Sequence, residues 1–434
     1  QTLADSLRVL GPDNPDTLTS RNNLAHAYRS AGRLDQAIDL YEQNLTDRLR
    51  VLGPDNPDTL ASRGNLAYVY WSADRFDEAI PLFKQTLADS LRVLGADHPD
   101  TLASRNDLAS AYESAGRLEQ AIPLYEQNLA DRERILGADH PDTLTSRGNL
   151  ANVYESAGRL EQAIPLYERT LADRERILGA DHPDTLTSRG NLANVYESAG
   201  RLEQAIPLYE QTLADSLRVL GPDHPDTLTS RNNLAYVYWS AGRFDEAIPL
   251  FEQTLASSER VLGADNPDTL ASRHNLASAY CSAGRFDEAI PLFEQTLADS
   301  LRVLGPDNPD TLASRHNLAS AYCSAGKLDE AIPLFERTLA VRLRVLGPDN
   351  PDTLASRHNL ASAYCSAGRL DKAIPLFEQN LTEALRVLGP DHPNTRIFSD
   401  NLVDAYRTVG RDEDAAALLD PPSDPDDTDA EALA

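Results

Sequence analysis

The tripeptide Pro-Asp-Thr returns at Pro15, Pro57, Pro99, Pro141, Pro183, Pro225, Pro267, Pro309 and Pro351, and as Pro-Asn-Thr at Pro393, each 42 residues after the last without insertion. A chain of 434 residues is too long for one ordinary core. A strict period of this size marks a chain built from stacked supersecondary units, each unable to bury its apolar faces alone.

One period holds two helices. The first is predicted from Pro15, a first-turn position where the missing N–H of proline costs nothing, with Asp16 beside the positive helix end. Leu24, Ala27, Tyr28 and Ala31 follow at helical spacing, and Gly32 ends the helix. The second is predicted from Leu34 to Leu52, with Ala37, Ile38, Tyr41, Leu45, Leu49 and Leu52 on its inner stripe and Gly53 as its stop. Pro81, Pro123, Pro165 and five later equivalents fall about one turn into the second helix, where a mild kink is the expected cost.

The net charge of −28 argues against nucleic acid or an anionic membrane as partner, because both call for a basic face. No apolar run approaches the ~20 residues needed to span a bilayer. Cys281, Cys323 and Cys365 are odd in number and form no disulfide framework, which fits a reducing, cytoplasmic setting. Lysine is confined to Lys84, Lys327 and Lys372 while arginine abounds, a bias that resembles GC-rich bacterial coding. The chain has no methionine and opens inside a helical pattern, so it reads as a piece of a longer protein.

The pattern N-L-A-x-x-Y, then A-G-R-L, then A-I-P-L-Y resembles the tetratricopeptide repeat in the 42-residue form of kinesin light chains and many bacterial signalling proteins. The resemblance runs from residue 15 to about 419. It implies an all-α, right-handed superhelical solenoid of about ten antiparallel helix pairs with a peptide-binding concave groove. One departure stands out. The family often places Trp or another apolar residue three before the helix Leu, and here that row is Arg21, Arg63, Arg105 and onward to Arg357. Ion pairing and stem packing between neighbours is the expected role of these arginines, with ligand binding the lesser alternative.

Against such uniform repeats, variation is informative. It clusters at the positions of Asn22, His26 and Arg29, which share one face at ~100° per residue, opposite Leu24 and Tyr28. The resemblance places this face in the groove. Along the array it offers Tyr68 and Trp71, then Glu113, Glu155 and Glu197 beside Ser110, Asn152 and Asn194, then Tyr236 and Trp239. His274, His316 and His358 follow with the three cysteines, and Asp400, Asp404 and Arg407 come last. Exposed aromatics often mark binding anchors, so apolar ligand groups are expected at the two Trp/Tyr zones and basic groups at the Glu zone. Beside this face runs a second row, Asn23, Asn65, Asp107, Asn149, Asn191, Asn233, Asn275, Asn317, Asn359 and Asn401. An amide can grip a peptide backbone, as the resemblance implies for asparagines at this place, or can bond the adjacent helix and fix repeat register. The family's carboxylate clamp uses lysines on this face, and none stands there.

No phosphate loop, zincin helix or nucleophile elbow occurs, and every Ser, His or Asp recurs with the period, a poor setting for a unique active site. His274 and Cys281 lie seven residues apart, roughly 10 Å along a helix, too far to share a zinc. The sequence therefore predicts no enzyme, no metal and no cofactor. Residues 1–14 read as a partial second helix of a preceding repeat plus linker, 15–419 as a ten-repeat solenoid, and 420–434 as a disordered acidic tail. The expected function is a scaffold that binds a protein or peptide, the sensor or recruitment arm of a larger bacterial signalling protein. The alternative is a structural spacer or self-assembling scaffold, joined through the uncovered N-terminal end where Leu3, Leu7, Val9 and Leu10 lie.

Overall fold

The computed structural model describes residues 2–419, so the expected tail over 420–434 lies outside the described residues. The chain divides into two compact units, Gln1–Asp215 and Ser216–Ala434. In the first unit a short α1 (Thr2–Leu10) precedes the pairs α2 (Pro15–Ser30) and α3 (Leu34–Leu52), α4 (Pro57–Ser72) and α5 (Phe76–Val93), α6 (Pro99–Ser114) and α7 (Leu118–Leu136), and α8 (Pro141–Ser156) and α9 (Leu160–Leu178). Then come α10 (Pro183–Ser198) and the start of α11 (Leu202–Val219). The second unit holds α12 (Pro225–Ser240) and α13 (Phe244–Leu262), α14 (Pro267–Ser282) and α15 (Phe286–Val303), α16 (Pro309–Ser324) and α17 (Leu328–Val345), α18 (Pro351–Ser366) and α19 (Leu370–Val387), and α20 (Pro393–Thr408) and α21 (Asp412–Leu419). No strand occurs among the described residues. Each unit is a solenoid of helix pairs.

Local chemistry sets these bounds. Asn14 accepts the Asp16 N–H at 2.9 Å, and His98 does the same for Asp100 through Nδ1 at 3.1 Å, so the residue before each proline caps the first helix. Between the paired helices the turn needs a left-handed residue. Gly32 supplies it at φ +71°, and Asp74 fills the same place at φ 56°. Pro81 sits inside an unbroken α5, because a proline one turn in lacks little of the helix ladder.

Within each unit the second helix of a repeat packs on its own first helix and on the first helix of the next repeat, as α3 does on α2 and α4 and α15 on α14 and α16. Leu60, Leu66, Ala67, Val69 and Tyr70 of α4 are all buried between α3 and α5. Burial of each large apolar side chain contributes about 1.5–3 kcal/mol. The expected inner stripe of α2 needs correction. Ala27 and Ala31 are exposed, and Leu24 and Tyr28 are only half-buried. Among the described residues α2 packs on the nine-residue α1, whereas α4, in which Val69 is the counterpart of Ala27, packs on the nineteen-residue α3. Leu49 also leaves the inner stripe of α3, being exposed near the helix end.

The arginine row is interior. Arg147 and Arg189 are fully buried, and Arg63, Arg105, Arg273 and Arg357 nearly so. Arg147 donates to Asp173 at 2.7 Å in its own repeat and to Glu133 at 3.1 Å in the repeat before. Arg189 repeats this with Asp215 at 2.7 Å and Glu175 at 3.0 Å. A guanidinium with five donors can satisfy two helices at once, so the place often held by an apolar residue in the family here carries a charged joint. The ion-pairing expectation holds for seven of these arginines and fails for Arg231 and Arg315.

Candidate ligand-binding face

Four first-helix positions, those of Asn22, Asn23, His26 and Arg29, build the face that the repeats leave uncovered. In the first unit Tyr68 is 39% exposed and Trp71 is half-buried. Their rings meet edge to face, with centroids 5.0 Å apart, and the Arg29 guanidinium lies 4.5 Å over the Tyr68 ring. Quadrupole and cation attraction together hold the tyrosine in one orientation. Beside it opens a cavity of about 320 Å³ lined by Arg29, Gly64, Asn65, Tyr68, Phe83 and Asp107. Gly64 contributes by lacking a side chain, since a Cβ there would meet nothing within 4 Å. Asp107 opens to solvent on one side. Burial of the other side pushes its carboxyl up to about 6, against the pull of Arg132.

The second unit repeats the aromatic pair. Tyr236 is 47% exposed, Trp239 is half-buried, and their rings meet at 5.2 Å. Trp239 borders a cavity of about 250 Å³ whose other walls include Ser278, Cys281, Phe293, Ser320 and Ala321. Small side chains on the next two first helices make this space.

The Glu zone is tied into the scaffold, which the sequence reading missed. Tyr125 donates to Glu113 at 2.8 Å and shares a hydrogen bond of 2.8 Å with Ser110. Tyr167 donates to Glu155 at 2.7 Å and also to Asn152. Tyr209 donates to Glu197 at 2.8 Å and to Asn194 at 2.5 Å. Burial raises the Glu113 carboxyl, while its tyrosine partner pulls it down. The signal was present in the sequence. Tyr125, Tyr167 and Tyr209 occur in the repeats with Glu113, Glu155 and Glu197, whereas Phe83, Phe251, Phe293, Phe335 and Phe377 occur in repeats with Trp or Cys there.

In the His/Cys zone each imidazole packs on the phenylalanine of its own repeat, His274 on Phe293 at 5.5 Å, His316 on Phe335 at 5.4 Å and His358 on Phe377 at 5.5 Å. Burial lowers all three histidines below their ordinary range and raises the thiols of Cys281, Cys323 and Cys365. The histidines are therefore neutral and the cysteines are thiols at neutral pH. Among the described residues no group of three or more His, Cys, Asp or Glu side chains is placed to hold a metal ion.

The asparagine row divides. Asn65 donates to Asn22 at 3.1 Å, Asn149 to Asn106 at 3.1 Å and Asn275 to Asn232 at 3.2 Å, and Asn401 meets His358 at 3.3 Å. Each bond joins successive first helices, the register role. Asn23 is exposed, Asn191, Asn233, Asn317 and Asn359 are half-buried, and Gly148 stands where an acceptor for Asn191 would be.

These repeats match the tetratricopeptide repeat model in ten overlapping stretches, from residues 1–46 to residues 352–420. The chain belongs to the tetratricopeptide repeat family, with repeats of the kinesin-light-chain kind. A Podosopora anserina structure of kinesin light chain nearly identical TPR-like repeats is 36% identical over 48% of this chain and 98% of that one, with a TM-score of 0.46. A Pyrococcus horikoshii signal transduction ATPase with numerous domains, bearing a tetratricopeptide repeat sensor, is 13% identical over 83% of this chain and 55% of that one, at a TM-score of 0.53. The apo quorum sensor NprR of B. thuringiensis is 13% identical over 84% of this chain and 98% of that one, at 0.51. At such identity the last two show a shared fold. No curated protein sequence matches the chain. No helix among the described residues is long and apolar enough to cross a membrane.

Proposed function

We propose that this chain binds an extended protein or peptide segment along the open face of its first helices, as the recognition arm of a larger bacterial signalling protein in the cytoplasm. The observation that carries this reading is the pair of aromatic clusters, Tyr68 with Trp71 and Tyr236 with Trp239, held in fixed geometry yet open to solvent. Rigid amphipathic rings beside cavities suit anchor residues of a partner. Free oxygens of Glu113, Glu155 and Glu197 suit basic groups, and Asn191, Asn233, Asn317 and Asn359 suit a peptide backbone. The array itself has no catalytic role in this reading. Two proteins that share the fold, a signal transduction ATPase with a tetratricopeptide repeat sensor and a quorum sensor, lend it support by analogy of fold alone.

A peptide array probed with the wild type and with a Trp71→Ala, Trp239→Ala double variant tests it. Loss of an anchor of this size costs roughly 2 kcal/mol or more, about thirtyfold in affinity. Unchanged binding of every peptide by the double variant would sink the reading. A second reading, self-assembly through α1, rests on exposed Val9 and Leu10. Growth in size with concentration, abolished by Val9→Glu, would favour it.

A further inference from the structure

The buried arginines share a rule, and one of them breaks it. In the fourth repeat two arginines share two carboxylates. Arg147 reaches Asp173 at 2.7 Å and Glu133 at 3.1 Å, while the exposed Arg169 lies 3.4 Å from the same Glu133 and 4.0 Å from the same Asp173. The eighth repeat carries both arginines again, as Arg315 and Arg337, but Val341 stands where Asp173 was and Leu301 where Glu133 was. Arg21, Arg63, Arg105, Arg147, Arg189, Arg273 and Arg357 each hold a carboxylate. Arg231 has Ser257 and the Pro222 carbonyl within reach. Arg315 is 1% exposed, and both of its terminal nitrogens are buried with no hydrogen-bond partner.

We propose that Arg315 and Arg337 form an oxyanion-binding site that takes a phosphate, sulfate or carboxylate in place of the carboxylates missing from this repeat. A buried guanidinium with unused donors is costly alone and is strongly stabilised by a charge-assisted partner. Arg337 is close enough for its charge to act on Arg315, and two neighbouring guanidiniums supply the donors that bidentate recognition of such ions uses. Burial and the Arg337 charge act against the charge on Arg315; Asp307 acts for it but is itself paired with Arg344 at 2.5 Å, and no carboxylate bonds the Arg315 guanidinium. An entering ion would come from the outer edge of the joint, displacing the side chain that stands there. The carboxylates that fill it in other repeats keep 17–22% of their side chains exposed, and here the rim is the half-buried Val341 and the exposed Arg337.

Isothermal titration calorimetry of the full chain with sodium phosphate, sulfate and acetate, each against sodium chloride at matched ionic strength, tests the proposal. One saturable site is expected in the wild type. Val341→Asp restores the internal carboxylate and should weaken that site at least tenfold while raising the melting temperature in plain chloride. Arg337→Gln leaves the buried arginine in place and should weaken it severalfold. Binding of phosphate or sulfate alone assigns a tetrahedral ligand, and binding of acetate as well assigns a carboxylate source. Equal affinity in the wild type and Val341→Asp, or no binding of any of the three ions, overturns the proposal.

Discussion

In α7, α9 and α11 of the first unit the aromatic residue at the base of the open face is tyrosine; in α13, α15, α17 and α19 of the second it is phenylalanine. In these repeats one oxygen atom goes with what the face above carries, although the equally buried Tyr41 of α3 stands under Arg29. The buried hydroxyls of Tyr125, Tyr167 and Tyr209 need acceptors, and Glu113, Glu155 and Glu197 supply them. Over phenylalanine no acceptor is needed, and the same position holds Trp239, Cys281, Cys323 or Cys365. The face that meets a partner is thus chosen partly from below, by what the scaffold has to satisfy.

The largest expected effect makes the first unit resemble the eighth repeat. Asp173→Val strips Arg147 of its shortest ion pair and should cost about 3 kcal/mol in urea unfolding, with hydrogen exchange rising in α8 and α9. No loss there would mean that these joints add nothing, and the contrast with Arg315 would lapse. Next, the aromatic rule can be inverted. Phe335→Tyr places a hydroxyl under Cys323 and should destabilise by about 1 kcal/mol, and adding Cys323→Glu should recover it. Tyr167→Phe should cost about 1 kcal/mol. A double-mutant cycle with no coupling between residues 335 and 323 would reduce the rule to coincidence.

A pH experiment probes a difference within the asparagine row. Asp107 is its one aspartate, and burial lifts its carboxyl to about 6. The unfolded chain releases this proton near pH 4, so between about 4 and about 6 the folded chain holds more protons and stability falls as pH rises. Asp107→Asn should flatten that slope and, after allowance for the open side, gain about 1 kcal/mol at pH 7. Denaturant titrations from pH 4 to 8 check the sign. The smallest effect concerns register. Asn65→Ala removes the bond to Asn22 and should cost about 0.5 kcal/mol, whereas Asn191→Ala, which has no such bond, should alter ligand binding without altering stability.

Most of the scaffold could be read in advance. Pro15 and Gly32 bracket α2, and the expected second helix from Leu34 to Leu52 matches α3 to the residue. Those boundaries follow from local rules of proline, caps and glycine. The interior was harder to read. A helix held between two others buries more than one stripe; the 3.6-residue pattern read on α2 found positions that later repeats do bury, as Val69 at the place of Ala27, but not that α2 itself leaves Ala27 and Ala31 exposed. On the open face, residues with two claims on them resisted assignment. Asn65 and Asn149 bond their neighbours, while Asn23 does not, although all three look alike in the sequence. The arginine row illustrates the remedy. Its partners lie 26 residues downstream in every repeat that has them, so comparison among repeats could have paired them before any coordinates.

Two kinds of joint run through the array, and they differ in what happens when repeats are shuffled. The pair Arg63 and Asp89 lies inside one period, so a crossover at the Pro-Asp boundary carries it along whole. The bond from Asn65 to Asn22 spans two periods and must be remade with whatever neighbour arrives. Inserting or reordering a repeat therefore leaves the first kind of joint intact and puts the second under the control of the incoming neighbour, whose residue at the position of Asn22 is glycine, asparagine, histidine or aspartate from repeat to repeat.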